Sequence, residues 1–201
     1  MDEHGEILRL RERITELERE KEAVEGFAAV AAHELLTPVV LLHHASFRDL
    51  PLQKQPVDLD ALLRDCVALL GPELRRRNSQ IEVETALPCL PVEEPLIGAV
   101  FINLLANALK YGPRHGSTIR VGAAAEPGVW RLSVRSEGNP IPAEDRDEIF
   151  RAYRRGSGER RARGSGLGLY ICRQIVERHG GEITVVSAGG GNCFAFTLPV
   201  S

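Results

Sequence analysis

The amino-acid sequence predicts an α+β protein, in which a helical N-terminal region precedes a sandwich of one sheet under a layer of helices. Three observations carry this prediction. Residues 6–25 are highly charged and repeat apolar side chains in heptads. From residue 57 onward, strand-like and helix-like runs follow one another without the regular βαβ order of a parallel sheet. Two pairs of strand-like runs are joined through glycine-bearing turns, which favours antiparallel hairpins.

The first helix covers 6–25 and runs on without a breaker. Ile7, Leu10, Ile14, Leu17, Val24, Ala28 and Ala31 share one seam, and Lys21 is its polar member. That stripe is too narrow to hold a lone helix, so a parallel coiled-coil homodimer is expected, with 1–26 as a linker helix. In FAAVAAHELLTPVVLL (27–42), the heptad places His33 on the outer face with Glu34 beside it. Thr37 lies four residues after His33 and shares its face. Pro38 should bend the helix. The breaker-rich PLQKQP (51–56) reads as a linker.

A second unit spans 57–201. An amphipathic helix is expected from 57 to about 77, with Asp58 or Asp60 near its start. Residues 81–85 alternate as a strand, and 93–111 form a helix apolar on most faces and hence largely buried. Strands at 118–123 and 129–135 pair across Glu126-Pro127-Gly128. A short helix is expected at 145–153, then an Arg- and Gly-rich loop to 165. The helix at 167–179 ends at Gly180-Gly181, and strands at 182–187 and 193–198 close a hairpin around a run of glycines.

Composition narrows the function. The 25 basic and 28 acidic residues give a net charge of −3, which implies no polycationic surface for nucleic acid. A hydrophobic content of 43% argues against wholesale disorder. The apolar stretch 27–42 is interrupted by His33, Glu34 and Pro38, so no membrane span is expected there, and the acidic start does not read as a secretory signal. Cys66, Cys89, Cys172 and Cys193 form no CxxC pair and lack metal-ligand spacing, which suits unpaired thiols in the cytoplasm.

Two motifs carry chemistry. In GSGLGL (164–169), glycines at alternate positions open onto a helix, where bare amides and the helix dipole can face phosphate. The GxGxG spacing and the Arg-rich loop before it argue against a dinucleotide fold, and a plain cap and turn explain such a string equally well when it is read alone. In INLLANALKYG (102–112), Asn103, Asn107 and Lys110 fall at i, i+4 and i+7 on one helix face. An Asn carbonyl can ligate Mg²⁺, and a Lys ammonium can meet phosphate oxygens.

Taken together the motifs resemble those of sensor histidine kinases. HELLTP (33–38) resembles their H box, INLLANALKYG their N box, IFRAYRRG (149–156) their F box, GSGLGLYICRQIVERHGG (164–181) their G2 box, and FAFTLP (194–199) their closing strand. The resemblance implies a dimerisation and histidine-phosphotransfer region at 27–56 joined to a Bergerat-type ATP-binding domain at 57–201. It implies autophosphorylation of His33 from ATP with Mg²⁺, then phosphoryl transfer to an Asp of a response-regulator receiver domain, with a sensor domain upstream. Under it, His33 is the phosphoacceptor, Glu34 orients the imidazole and serves as base, and Thr37 places water for dephosphorylation of the regulator. Asn107 ligates Mg²⁺, Asn103 supports the phosphates, Lys110 contacts phosphate and Tyr111 packs near adenine. Gly164, Gly166 and Gly168 shape the hinge of the ATP lid, with Leu169 completing the cofactor-binding string. The lid arginines Arg154, Arg155, Arg160, Arg161 and Arg163 either hold phosphates in a closed state or simply solvate a loop.

The sequence departs from the family pattern in three places. The G1 box of the family reads DxGxGIP, and this chain has SEGNPIP at 136–142. Ser136 and Gly138 therefore stand in the cofactor-binding set with Ser in place of the Asp that accepts the adenine amino group, and Pro140 replaces the second glycine. Ser136 offers a hydrogen bond without charge assistance, which implies weaker ATP binding and raises the alternative of a phosphatase-dominant core. Leu36 stands where many relatives have Arg. Finally, the eight residues between Leu42 and Pro51 span only about 12 Å as helix and cannot return along a first helix of roughly 50 Å. ASFRDLPLQKQPVDLD (45–60) resembles the tail of the family's second helix and its linker, so that helix is expected to be truncated or missing around 43–45.

Overall fold

The computed structural model describes residues 51–113, 115–153 and 167–201. The expected coiled coil, His33, Glu34, Thr37, the shortened second helix, the lid arginines, Gly164 and Gly166 all lie outside the described residues.

In chain order the elements are β1 (Gln55–Asp58), α1 (Leu59–Leu69), α2 (Gly71–Arg77), β2 (Gln80–Val83), β3 (Cys89–Val92), α3 (Glu94–Tyr111), β4 (Thr118–Glu126) and β5 (Val129–Glu137). Two 3₁₀ turns follow, at Ala143–Asp145 and Glu148–Phe150, and then α4 (Gly168–Arg178), β6 (Ile183–Ala188) and β7 (Gly191–Pro199). Five strands form one sheet in the order β2-β4-β5-β7-β6, and β1 and β3 form a separate two-stranded ribbon. The expected hairpins β4–β5 and β6–β7 are present, and β5 and β7 also pair antiparallel. Only β2 runs parallel to its neighbour, β4. Helices cover one face of the sheet, which is the sandwich that the sequence predicts.

Alternation along the strands sets the core. Ile119 and Val121 of β4, Leu132 and Val134 of β5, and Phe194, Phe196 and Leu198 of β7 all point inward and are buried. On the facing helix α3, Ile97, Val100, Phe101, Leu104 and Leu105 are fully buried. Each such side chain contributes about 1.5–3 kcal/mol on leaving water. Phe101 meets Phe196 edge-on at 5.8 Å, and Phe150 meets Phe194 edge-on at 6.3 Å, so the second 3₁₀ turn is fastened to the same sheet. Helix α3 packs against both α1 and α4.

Three expectations are corrected. The helix expected from 57 to about 77 begins later and is split. Asp58 is extended, and its Oδ1 accepts from the backbone N–H groups of Asp60 at 2.9 Å and Ala61 at 3.2 Å, so the helix starts at Leu59. Pro72 has no N–H to donate to Ala68, so the chain ends one helix at Leu69 and starts another at Gly71. Val57 and Asp58 instead belong to β1, where Val57 pairs with Leu90 of the unanticipated strand β3. Finally, the short helix expected at 145–153 is replaced by the two 3₁₀ turns. Asp145 N–H donates to the Pro142 carbonyl at 3.0 Å and Arg151 N–H to that of Glu148 at 3.0 Å, and Arg151 then leaves in extended backbone.

Candidate functional site

The polar residues of α3 interrupt an otherwise apolar helix, and their surroundings explain why. Asn103 is 4% exposed. Its Nδ2 donates to the Ala99 carbonyl one turn back at 3.0 Å, which leaves Oδ1 facing the first residue of α4. A Cβ at Gly168 would overlap that oxygen. Glycine at 168 therefore lets the start of α4 come down onto α3, and the two motifs read separately in the sequence meet at this contact. Leu169 follows at half burial and packs on the core.

Asn107 lies one turn beyond Asn103, half-buried, and its side chain enters no hydrogen bond among the described residues. At the end of the helix, Lys110 Nζ sits over the ring of Tyr111, 5.0 Å from its centroid, and Tyr111 is 40% exposed.

The SEGNPIP segment reaches the same place from the sheet. Along β5 the inward file Leu132, Val134 ends in Ser136, and along β7 the inward file Leu198, Phe196, Phe194 ends in Asn192. Ser136 and Asn192 are register partners, so the apolar sheet face becomes polar at one end. The Ser136 hydroxyl makes no side-chain hydrogen bond among the described residues and is not sealed from solvent. Glu137, the next residue, points to the opposite face and is exposed. Gly138 has φ +151°, and a Cβ there would stand 2.8 Å from the Tyr111 carbonyl. The end of α3 and the loop after β5 are thus in direct backbone contact. Of the expected site residues within the described chain, the structure joins Asn103 to Gly168, and Tyr111 to Gly138.

Two polar residues of the site were not singled out in the sequence. Asn192 and Ser187 hold the loop after β5: Asn192 Nδ2 donates to the Asn139 carbonyl at 2.9 Å, and the Ile141 N–H faces both Asn192 Oδ1 at 3.1 Å and Ser187 Oγ at 3.0 Å. The signal for Asn192 was there, as the one polar member of the alternating file Asn192, Phe194, Phe196, Leu198.

His179, one of the histidines with no motif around it, is 2% exposed at the end of α4. Its Nδ1 donates to the Ile175 carbonyl at 2.8 Å, and its Nε2 accepts from the Glu93 N–H at 3.2 Å. Burial pushes its pKa below the ordinary histidine value, which keeps the ring neutral. It ties the C-terminus of α4 to the start of α3. Burial likewise pushes the Cys66 thiol up to about 11 and raises that of Cys172 further, so neither is a nucleophile at neutral pH.

Among the described residues no three His, Cys, Asp or Glu side chains gather to hold a metal. A cation here would use the free amide oxygen of Asn107 together with oxygens of its own ligand. That hard donor suits Mg²⁺, which keeps few protein ligands when it binds with phosphates. No helix among the described residues is long and apolar enough to cross a membrane.

Comparison with known proteins identifies the arrangement. The family model of histidine kinase-, DNA gyrase B- and HSP90-like ATPases matches residues 92–201. The chain is 33% identical to the adaptive-response sensory kinase SasA of Gloeothece citriformis, over 84% of this chain and 44% of that protein. It is 31% identical to cyanobacterial phytochrome B of Nostoc sp. over 227 residues, which use 91% of this chain and 30% of that protein. The alignment is longer than the part of this chain it uses, so the Nostoc protein carries residues with no counterpart here. The chain spans less than half the length of either relative. Among solved structures, the catalytic domain of histidine kinase ThkA superposes with a TM-score of 0.65 at 29% identity, over 73% of this chain and 95% of that one. The chain therefore belongs to the histidine kinase-, DNA gyrase B- and HSP90-like ATPase family, and carries an ATPase domain of the histidine-kinase type.

Proposed function

We propose that the chain is the cytoplasmic core of a homodimeric sensor histidine kinase, which moves the γ-phosphoryl group of ATP to His33 and then to an aspartate of a response-regulator receiver domain. The observation that carries this reading is HELLTP, with its His33-Glu34 pair, on the same chain as the ATPase domain. In the first step a ring nitrogen of His33 bonds to the γ-phosphorus, the bond from that phosphorus to the bridging oxygen breaks, ADP leaves, and Glu34 takes the ring proton. In the second step the receiver's carboxylate takes the phosphoryl group and the N–P bond breaks. Thr37 positions water for the opposing output, in which water attacks the aspartyl phosphate, its P–O bond to the carboxylate breaks and inorganic phosphate leaves.

On the ATPase domain, Asn103 and Lys110 serve the phosphates, Tyr111 lies against the adenine, and Ser136 and Gly138 border the base. Gly164, Gly166, Gly168 and Leu169 form the hinge of the lid. Asn107 holds Mg²⁺, whose charge offsets that of the phosphate oxygens. The Asn107 amide, with no hydrogen bond among the described residues, supports the Mg²⁺ assignment, and the Asn103–Gly168 contact supports a glycine string seated against α3. The division is 1–26 linker coiled coil, 27–56 phosphotransfer region and 57–201 ATP-binding domain, except that Gln55 and Pro56, expected in the linker, pair with β3 and go with the ATP-binding domain.

A second reading has a specific observation behind it. Ser136 is uncharged where the family has a carboxylate, and Pro140 stiffens the same loop. An ATP-weak core would act mainly as a phosphatase of the regulator. One experiment separates the two. The chain is incubated with γ-labelled ATP, Mg²⁺ and a receiver domain, alongside His33→Ala and Thr37→Ala. Label reaching the receiver only when His33 is present supports the kinase. Label leaving a phosphorylated receiver faster in a Thr37-dependent way, with none arriving from ATP, supports the phosphatase.

A further inference from the structure

The loop after β5 carries a peculiar burden. A turn across Pro140 would need an N–H on Pro142 to close on the Asn139 carbonyl, and proline has none, so the loop cannot close a hydrogen-bonded turn on itself there. The two groups flanking the proline, the Asn139 carbonyl and the Ile141 N–H, are left to water or to side chains from elsewhere. Both find partners on Asn192, with the Ile141 N–H shared between Asn192 and Ser187 Oγ at 3.0 Å. Asn192 donates from Nδ2 to the Asn139 carbonyl at 2.9 Å and accepts at Oδ1 from the Ile141 N–H at 3.1 Å. Ser187 fixes the orientation of that amide by donating to Oδ1 at 2.6 Å. The Gly138 N–H, donating to the Gly190 carbonyl at 3.1 Å, fastens the other end of the loop to the same β6–β7 turn.

Only a carboxamide fits this role. It presents one acceptor and one donor in a plane, the complement of the carbonyl and N–H across Pro140. A carboxylate of the same shape lacks the donor and would face the Asn139 carbonyl with a negative oxygen. Asn192 is 8% exposed, whereas Asn139 and Pro140 are exposed, so the clasp is held in the sheet and the loop it holds is on the surface.

We infer that Asn192, oriented by Ser187, is the positioning residue of the nucleotide loop: it presets residues 138–141 so that Gly138 stays against the end of α3 and Ser136 stays open to the base. This rests on the ATP-binding reading above. Preset geometry acts on affinity, because a loop already in its bound shape loses less entropy on binding.

The test uses the 201-residue chain with Asn192→Asp and Asn192→Ala. MgATP affinity is measured by calorimetry, and backbone amide exchange by NMR. Both variants should bind MgATP about tenfold more weakly or worse. In Asn192→Ala, where Ser187 Oγ alone remains for it and has lost its own acceptor, the Ile141 amide should exchange faster while the core amides of Val134 and Phe194 keep their protection. Unchanged affinity in both variants overturns the inference. So does a loss of affinity accompanied by uniform loss of protection in the core, since that marks a merely structural role. Failure of the unaltered chain to bind MgATP is read separately; it overturns the ATP-binding reading, and the inference falls with it.

Discussion

On the proposed reading Ser136 is the residue that holds the adenine amine: it ends the inward file of β5, and its side chain makes no hydrogen bond among the described residues. Restoring a carboxylate with Ser136→Asp should strengthen MgATP binding about ten- to hundredfold, since a charge-assisted hydrogen bond is worth roughly 1–3 kcal/mol. Calorimetry on both proteins measures this, and equal affinities would remove Ser136 from the base contact. The Asn103–Gly168 contact makes a sharper prediction. Gly168→Ala puts a methyl onto Asn103 Oδ1 and should destabilise the domain by about 1–3 kcal/mol. Asn103→Ala removes the obstructing oxygen, so the double variant should recover part of that loss in urea unfolding. Strict additivity would mean that the two residues do not meet. Both residues were legible in the sequence as members of motifs. Their contact was not, because 65 positions separate them and no local pattern encodes how closely α4 approaches α3.

Helices α3 and α4 are locked at their far ends by His179, and this gives the domain a pH dependence. The ring bridges the two elements only while Nε2 keeps its lone pair for the Glu93 N–H. Unfolded, it takes a proton near pH 6.5; folded, burial resists that proton. Stability is therefore full above about pH 6.5 and falls as the pH drops below it, until the folded ring titrates as well. Urea unfolding at pH 8, 7, 6 and 5 should show that decline, and His179→Gln should be less stable at pH 8 but flatter below pH 6.5. An unchanged slope in the variant would assign the dependence to other groups. Among the elements, the hairpins β4–β5 and β6–β7 were legible because period-two alternation survives in strands with one buried face. Strands β1 and β3 were not, because Pro56 and Pro91 lie opposite each other in that ribbon and proline hides a strand. The split between α1 and α2 had its signal in Gly71-Pro72, but the apolar periodicity carried on across it.

The molecule as a whole combines an ATPase domain with a histidine motif on one chain, and its proposed activity requires the two to meet. The domain was legible from its motifs, because each places reactive side chains within a single helix or turn. What closes the loop after β5 was not, since Asn192 and Ser187 gain their role only when β6, β7 and that loop come together. The central claim is that ATP delivers its phosphoryl group to His33. Its most direct measurement is phosphopeptide mapping after incubation with millimolar MgATP. The expected result is an acid-labile phosphoryl group on the peptide containing His33, absent from His33→Ala. Label that survives acid or persists in His33→Ala, or no label on a protein that demonstrably binds MgATP, would contradict it.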